Sequence, residues 1–338
     1  MFMSKILLNG GNGALGVYLT EELAKEGHKI DVLCLENVVS KYSNVRYICH
    51  DGKDFSYLSS LVKNQYDAIV DFMVYPTVEE FEPYADLYLE NTKHYLFTST
   101  YRVYGGEYPI TEDSPRLWDL LQQGKLPENF VEDYEYSIYK AKCEDYLSKK
   151  AQKNWTVIRP TITYSKARFQ LTILEAGVLV HRMRAGKTVV LPQGAMDCEG
   201  TLSWAGDFGI CVSKLILNEN AFGQAYTIGT NEHHTWREIA EIYKKIGGLK
   251  YVTVDNQTFI NELFDGNVRT AQQLNYDRCY NRIVNNDKTL EITHRKASDF
   301  MPLEKGLKME LDGYDNSIYD ENTDKKMDKL LEKLKGEI

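Results

Sequence analysis

A chain of 338 residues exceeds the roughly 250–300 at which a single hydrophobic core stops growing, so two lobes are expected. Apolar residues make up 43% and charged residues 26%, ordinary for a globular protein in water, and no apolar run approaches the length needed to span a bilayer. The net charge of −9 opposes unspecific binding to nucleic acid or to anionic membrane, so neither is expected as a partner. The stretch from Met1 to Lys5 runs straight into Ile6–Leu8 and then glycines. That reads as a buried strand entering a turn, not as a cleavable signal, and a cytoplasmic location is the expectation.

The first third alternates short apolar runs with helical patterns, the signature of βαβ units and a parallel sheet. Strands are expected at Lys5–Asn9, Ile30–Leu35, Val45–Cys49, Ala68–Phe72 and His94–Thr98. Leu15, Leu19 and Leu23 recur at helical spacing before Gly27, which suits a helix with glycine just past its end. Thr77 with Glu80, and Thr235 with Glu238, read as capping boxes. A sixth strand at Trp155–Arg159 stops at Pro160, Asp207–Leu217 reads as helix and Tyr226–Ile228 as extended. The expected fold is a doubly wound α/β (Rossmann) domain from residues 1–165 and 200–230. A smaller substrate lobe comes from 166–199 and 231–312, and a charged, peripheral C-terminal tail from 313–338.

Gly10-Gly11-Asn12-Gly13-Ala14-Leu15-Gly16 follows the first strand and opens the first helix, satisfying both G-x-x-G-x-x-G and G-x-G-x-x-G. Glycine is required where the turn is tight, where backbone approaches a pyrophosphate and where helix packs closely on strand. A dinucleotide is the ligand such a loop serves, its phosphates meeting the unpaired N–H groups of the helix N-terminus. Glu36 stands 20 positions past Gly16 at the end of the second strand, where a carboxylate would accept from an adenosine ribose hydroxyl and select NAD over NADP. Asp51, after the third strand, is a second contact candidate for the adenine end; for both acids a solvated surface position is the alternative.

Tyr136-Ser-Ile-Tyr-Lys140 sets a phenol and an ammonium one helical turn apart on one face. A nearby cation favours phenolate over phenol, which equips a tyrosine as a general acid or base. In a chain with 24 tyrosines the spacing also arises by chance. Its weight comes from the order of segments: glycine loop, then Phe97-Thr98-Ser99-Thr100-Tyr101-Arg102-Val103-Tyr104-Gly105, then Tyr136 and Lys140.

These segments in this order resemble the extended short-chain dehydrogenases of the NAD-dependent epimerase/dehydratase family, which act on nucleotide sugars. The likeness continues in Val157-Ile158-Arg159-Pro160, in Asp207 starting a helix and in Ala225-Tyr226-Thr227-Ile228-Gly229. It implies an NAD(P)-dependent nucleotide-sugar epimerase, with Tyr136 as acid/base, Lys140 binding the nicotinamide ribose and tuning the tyrosine, and Thr100 holding the sugar oxygen; Ser99 is the alternative for that last role. A ketosugar reductase or dehydrogenase would use the same residues. A third possibility is a non-catalytic RNA- or partner-binding relative, since some members near this branch are chloroplast RNA-binding proteins. The oligomeric state is left open between monomer and homodimer.

Departures from the family pattern narrow the chemistry. Dehydratases follow the threonine with Asp-Glu, and here Tyr101-Arg102 stand there, so the acid and base for elimination are missing. The arginine common in the family before the Asp207 position is replaced by Gly200-Thr201. Arg269, Arg278 or Arg282 could hold the phosphates instead, with a surface position as the plainer reading of each. Asp71-Phe72-Met73-Val74-Tyr75 replaces a loop of small residues, and residues 106–135, with Trp118, Leu120, Leu121 and Phe130, form either a lid or a packed insertion. Cys34, Cys49, Cys143, Cys198, Cys211 and Cys279 form no C-x-x-C pair, His233-His234 diverge, and no G-x-S-x-G occurs, so neither disulfide, metal site nor serine nucleophile is expected.

Overall fold

The computed structural model describes residues 3–63, 66–106, 109–128, 130–131, 136–315 and 318–336. Its centre is a seven-stranded sheet: β1 (Lys5–Asn9), β2 (Lys29–Cys34), β3 (Val45–Cys49), β4 (Ala68–Asp71), β5 (His94–Thr98), β6 (Trp155–Pro160) and β7 (Gln224–Ile228). The strand order is 3-2-1-4-5-6-7 and every pairing is parallel. Consecutive apolar residues in β1, β2, β4 and β5 follow from this, because a parallel strand is covered on both faces.

The helices are α1 (Gly16–Lys25), α2 (Phe55–Leu61), α3 (Val78–Asn91), α4 (Leu117–Gln122), α5 (Tyr136–Lys149), α6 (Ala176–Arg184) and α7 (Ala205–Leu215), followed by further helices at Trp236–Gly247, Asn256–Phe264, Leu303–Asp312 and Glu321–Gly336. One sheet face packs Leu8, Val32 and Val70 against Leu19 and Leu23 of α1 and Phe208 and Val212 of α7. The other packs Leu7, Ile69 and Phe97 against Phe81 and Tyr88 of α3 and Leu147 of α5. Gly209 makes the α1–α7 contact close, since a side chain there would lie 2.8 Å from the Tyr18 carbonyl oxygen.

Of the two expected capping boxes, the one at Thr235 closes in both directions, with Thr235 accepting from the Glu238 N–H and Glu238 from the Thr235 N–H. At Thr77 only the first half forms, because the Glu80 carboxylate is drawn 2.6 Å from Lys53.

A third cluster joins α6, the parallel pair Thr188–Pro192 and Lys250–Val254, and the helices beyond residue 235. Here the structure corrects the expected tail. Met327 and Leu330 of the helix Glu321–Gly336 are buried in this cluster, and Asp324 meets the buried Arg182 guanidinium. The charged face that dominates the sequence is only the outer side of a docked helix. No helix among the described residues is long and apolar enough to cross a membrane.

Residues 106–131, where described, pack against α5 and against the segment that carries Gln272. Trp118 donates to Asp145 of α5 (3.1 Å), and Val131 and Gln272 exchange two hydrogen bonds of 2.6 and 3.0 Å. These contacts are those of a packed insertion; residues 107, 108, 129 and 132–135 of the segment lie outside the described residues.

Candidate active site

Strand order reverses between β1 and β4, and ligands of such sheets settle at the carboxyl ends of strands at this switch point. The glycine loop leaves β1 there, Asp71–Tyr75 leaves β4, and Ser99–Thr100 leaves β5.

The loop glycines divide by what a side chain would meet. At Gly16 it would overlap the Gly11 carbonyl, and at Gly11 it would lie 2.7 Å from Leu8 Cβ, so both serve helix–strand packing. Gly10 takes φ +74°, in the left-handed region open to glycine. At Gly13 nothing lies nearer than the Gly10 carbonyl oxygen at 3.9 Å. The fold does not require glycine at that point, and the space above it is open. Helix α1 begins beside it at Gly16 with no side-chain cap at Leu15, and Ala14, Leu15 and Gly16 line the same space.

That space is a cavity of 560 Å³ lined by Gly10, Gly13–Gly16 and Phe72 together with Thr98–Arg102, Tyr136 and Lys140. A second cavity of 230 Å³ is lined by Asn12, Leu33–Glu36, Asp51, Gly52 and Met73, and Gly10 and Gly13 border both. A dinucleotide crossing Gly10–Gly13 would thus have one half in each. Glu36 accepts from Asn12 Nδ2 at 3.2 Å, and Asp51 closes a turn by accepting from the Lys53 N–H at 2.9 Å.

Tyr136 and Lys140 open α5 on the face toward the large cavity. The Lys140 ammonium lies 5.8 Å from the Tyr136 ring centroid and is almost wholly buried, donating to the carbonyls of Thr98 (2.7 Å) and Met73 (3.1 Å). Lys140 thereby ties α5 to the ends of β4 and β5. Beneath it the fully buried Asp71 accepts from the Met73 N–H, Tyr75 and Tyr95; burial raises its carboxyl's pKa, opposed by the Met73 N–H and the Lys140 charge. The Asp71–Tyr75 segment that departs from a small-residue loop is therefore a buried polar cluster under the lysine.

Thr100 lines the cavity and its hydroxyl accepts from the Arg102 N–H at 3.2 Å, starting the turn Tyr101–Val103. Ser99 also reaches the wall, but its hydroxyl donates to Glu144 Oε1 at 2.5 Å. Of the two candidates, Thr100 keeps its proton available. Glu144, one turn past Lys140, takes Arg159 through Nε (3.0 Å) and NH2 (2.7 Å), and Arg116 at 3.3 Å. Burial alone would raise the Glu144 pKa; Arg159, Ser99 and Arg116 together hold it below the usual range. This carboxylate locks the helix of Tyr136 to the strand end that carries Thr100.

Arg102, Arg168, Arg269 and Arg278 line the cavity. Arg278 is 2% exposed and Arg282 is 1% exposed, which corrects the reading of these two as surface residues. Both lie against Asp277, Arg282 through Nε at 3.2 Å, and burial pushes the Arg278 guanidinium down to about 10. Arg282 does not reach the cavity; it donates to the carbonyls of Tyr101 and Tyr104, both at 3.0 Å, and so fixes the turn after Thr100. Arg168 and Glu144 were not singled out from the sequence, and Asp71–Tyr75 was marked only as a departure from a small-residue loop, without its burial under the lysine. Glu144 alone left a signal, an acid one helical turn past Lys140.

The architecture is a Rossmann-like α/β fold: a doubly wound sheet in the order 3-2-1-4-5-6-7 with a glycine loop at the switch point. Solved relatives of this fold include the dTDP-glucose 4,6-dehydratase of Bacillus anthracis, determined with NAD, which superposes with TM-score 0.67 at 18% identity over 93% of this chain and 97% of that one. The UDP-glucose 4-epimerase of Thermus thermophilus, also determined with NAD, superposes with TM-score 0.65 at 18% identity over 93% and 100%. Among curated proteins, the chloroplast stem-loop binding protein of 41 kDa b of Arabidopsis thaliana is 24% identical over 263 residues, spanning 72% of this chain and 64% of that protein. No family model matches the chain. Among the described residues no group of three His, Cys, Asp or Glu side chains is arranged to hold a metal ion.

Proposed function

We propose that the protein is an NAD-dependent nucleotide-sugar epimerase that works by transient oxidation of a sugar hydroxyl. The observation that carries this reading is one cavity lined by both the glycine loop and Thr100, Tyr136 and Lys140. When bound, NAD would supply a hydride acceptor that later returns the hydride.

The chain's own residues would do the rest. Gly10–Gly16 and the N–H groups of α1 would hold the pyrophosphate, and Glu36 the adenosine ribose. Lys140, fixed by two carbonyls, would bind the nicotinamide ribose and hold positive charge near the Tyr136 phenol. Thr100 would orient the sugar hydroxyl while Tyr136 takes its proton, and the same phenol would return it after the ketosugar presents its other face. Arg269 and Arg278, with Arg102 and Arg168, supply cationic groups suited to the phosphates of a nucleotide.

A reductase or dehydrogenase would use the same site but would need a second redox substrate. Denaturing the purified protein and identifying the released molecules by mass spectrometry tests both readings. Release of NAD, with conversion of a nucleotide sugar to its epimer without added oxidant, is the result expected. Conversion only with stoichiometric NAD(P)H would favour the reductase, and no dinucleotide in either form would remove the proposal. The name of the Arabidopsis relative points to RNA, but the net charge of −9 favours a small-molecule ligand.

A further inference from the structure

Cys34 and Cys49 show no relation in sequence, yet they end adjacent strands. They are register partners in the β2–β3 ladder, and the His50 N–H donating to the Cys34 carbonyl at 2.9 Å continues the pairing past them. Val32 on β2 and Val45 and Tyr47 on β3 belong to the cluster beneath α1 and α7. Side chains alternate along a strand, so Cys34 and Cys49 lie on that same face. Neighbouring strands run about 4.8 Å apart, inside the roughly 4.4–6.8 Å that disulfides span between Cα atoms.

Both thiols brace one turn. Cys49 Sγ donates to the Leu35 carbonyl at 3.2 Å and Cys34 Sγ to the Glu36 carbonyl at 3.3 Å. Leu35 and Glu36 wall the 230 Å³ cavity, and Glu36 presents its carboxylate there. A disulfide has no S–H, so joining the two sulfurs would remove both donors at once.

We propose that Cys34 and Cys49 form a reversible redox pair whose closure frees the Leu35–Glu36 turn and weakens dinucleotide binding, the last step resting on the cofactor reading above. The oxidant is a low-molecular-weight disulfide. Cys49, exposed, loses its proton to solvent, and its thiolate attacks one sulfur, breaking the small S–S bond and expelling one thiolate. Cys34 then gives up its proton and attacks the Cys49 sulfur, forming the intrachain bond and expelling the second thiolate. Two protein thiols lose two electrons and the small disulfide becomes two thiols. Burial raises the Cys34 thiol's pKa and disfavours it as the first nucleophile; in the second step the neighbouring Cys49 sulfur, level with it across the ladder, offsets the smaller thiolate fraction.

The test equilibrates the full chain with glutathione disulfide or with dithiothreitol, then maps peptides without reduction and follows amide hydrogen exchange. A crosslinked Cys34–Cys49 peptide, faster exchange at Leu35 and Glu36, and NAD affinity lower by roughly fivefold, the effect of two weak hydrogen bonds, are expected, all reversed by dithiothreitol. Cys49→Ser keeps a donor for the Leu35 carbonyl and should bind NAD like the reduced protein but never crosslink. Absence of the peptide, a disulfide that persists in Cys49→Ser and so lies elsewhere, for instance between Cys198 and Cys279, or a crosslink that leaves exchange unchanged would each overturn the proposal. Failure of the reduced protein to bind NAD would count against the cofactor reading, while crosslink and exchange still decide this one.

Discussion

Gly13 separates the needs of the fold from those of a ligand. Its neighbours Gly11 and Gly16 cannot carry side chains without colliding with the chain itself, whereas a side chain at Gly13 enters empty cavity. Gly13→Val should therefore unfold within about 1 kcal/mol of wild type, since it changes no buried contact, yet lose NAD affinity by at least about 100-fold because two methyl groups occupy the pyrophosphate's path. Calorimetric titration beside urea denaturation checks both halves; equal affinity would mean the dinucleotide does not cross this loop. Glycine spacing made the loop legible in sequence. The division of labour among its glycines was not, because it depends on Leu8, which packs beneath, and on the open space above.

At the scale of elements, buried polar side chains also hold the strand starts, at the end of the sheet away from the site. His94, at the start of β5, accepts from the Leu217 N–H at 2.9 Å through Nδ1 and faces the Thr156 hydroxyl at 2.9 Å through Nε2, while that hydroxyl donates to the Ala221 carbonyl. These partners suit neutral imidazole with its proton on Nε2, and burial pushes its pKa from 6.5 down to about 3. Below pH 6.5 the unfolded chain binds a proton here that the folded chain refuses, so stability falls as pH falls, by about 1.4 kcal/mol per pH unit for one such group until the folded pKa is reached. Urea denaturation at pH 7, 6 and 5 should show this slope in wild type and a slope shallower by about one proton in His94→Gln. Equal slopes would show that His94 protonates in the folded state.

Most elements themselves were legible. Apolar runs located six strands and the seventh in part, and the Leu15–Leu19–Leu23 spacing located α1, because their burial is set by local periodicity. What periodicity could not show was pairing across distance: Glu144 with Ser99 and Arg159, Arg282 with the carbonyls of Tyr101 and Tyr104, and Cys34 level with Cys49.

For the whole molecule, the C-terminal helix shows the same limit. Its charges outnumber its apolar residues, and only the position of Met327 and Leu330 against the third cluster marks it as part of the core. The wall of the large cavity bears on reaction type. Tyr101 and Arg102 follow Thr100 into the cavity wall, and neither supplies the carboxylic acid and carboxylate that elimination of water would need. Incubation with dTDP-glucose, GDP-mannose and CDP-glucose should yield no 4-keto-6-deoxy sugar by mass spectrometry. Its appearance would mean that another pair of groups in the cavity performs the elimination.

The central claim, that the phenol of Tyr136 moves the proton that accompanies hydride transfer, is tested most directly by Tyr136→Phe assayed with the nucleotide sugar that wild type converts. The substitution keeps the ring beside Lys140 and removes only the hydroxyl, so NAD affinity should stay within a few-fold while turnover falls by at least about 100-fold, the contribution of one positioned acid/base. Near-normal turnover by the variant, with the cofactor bound, would contradict the account.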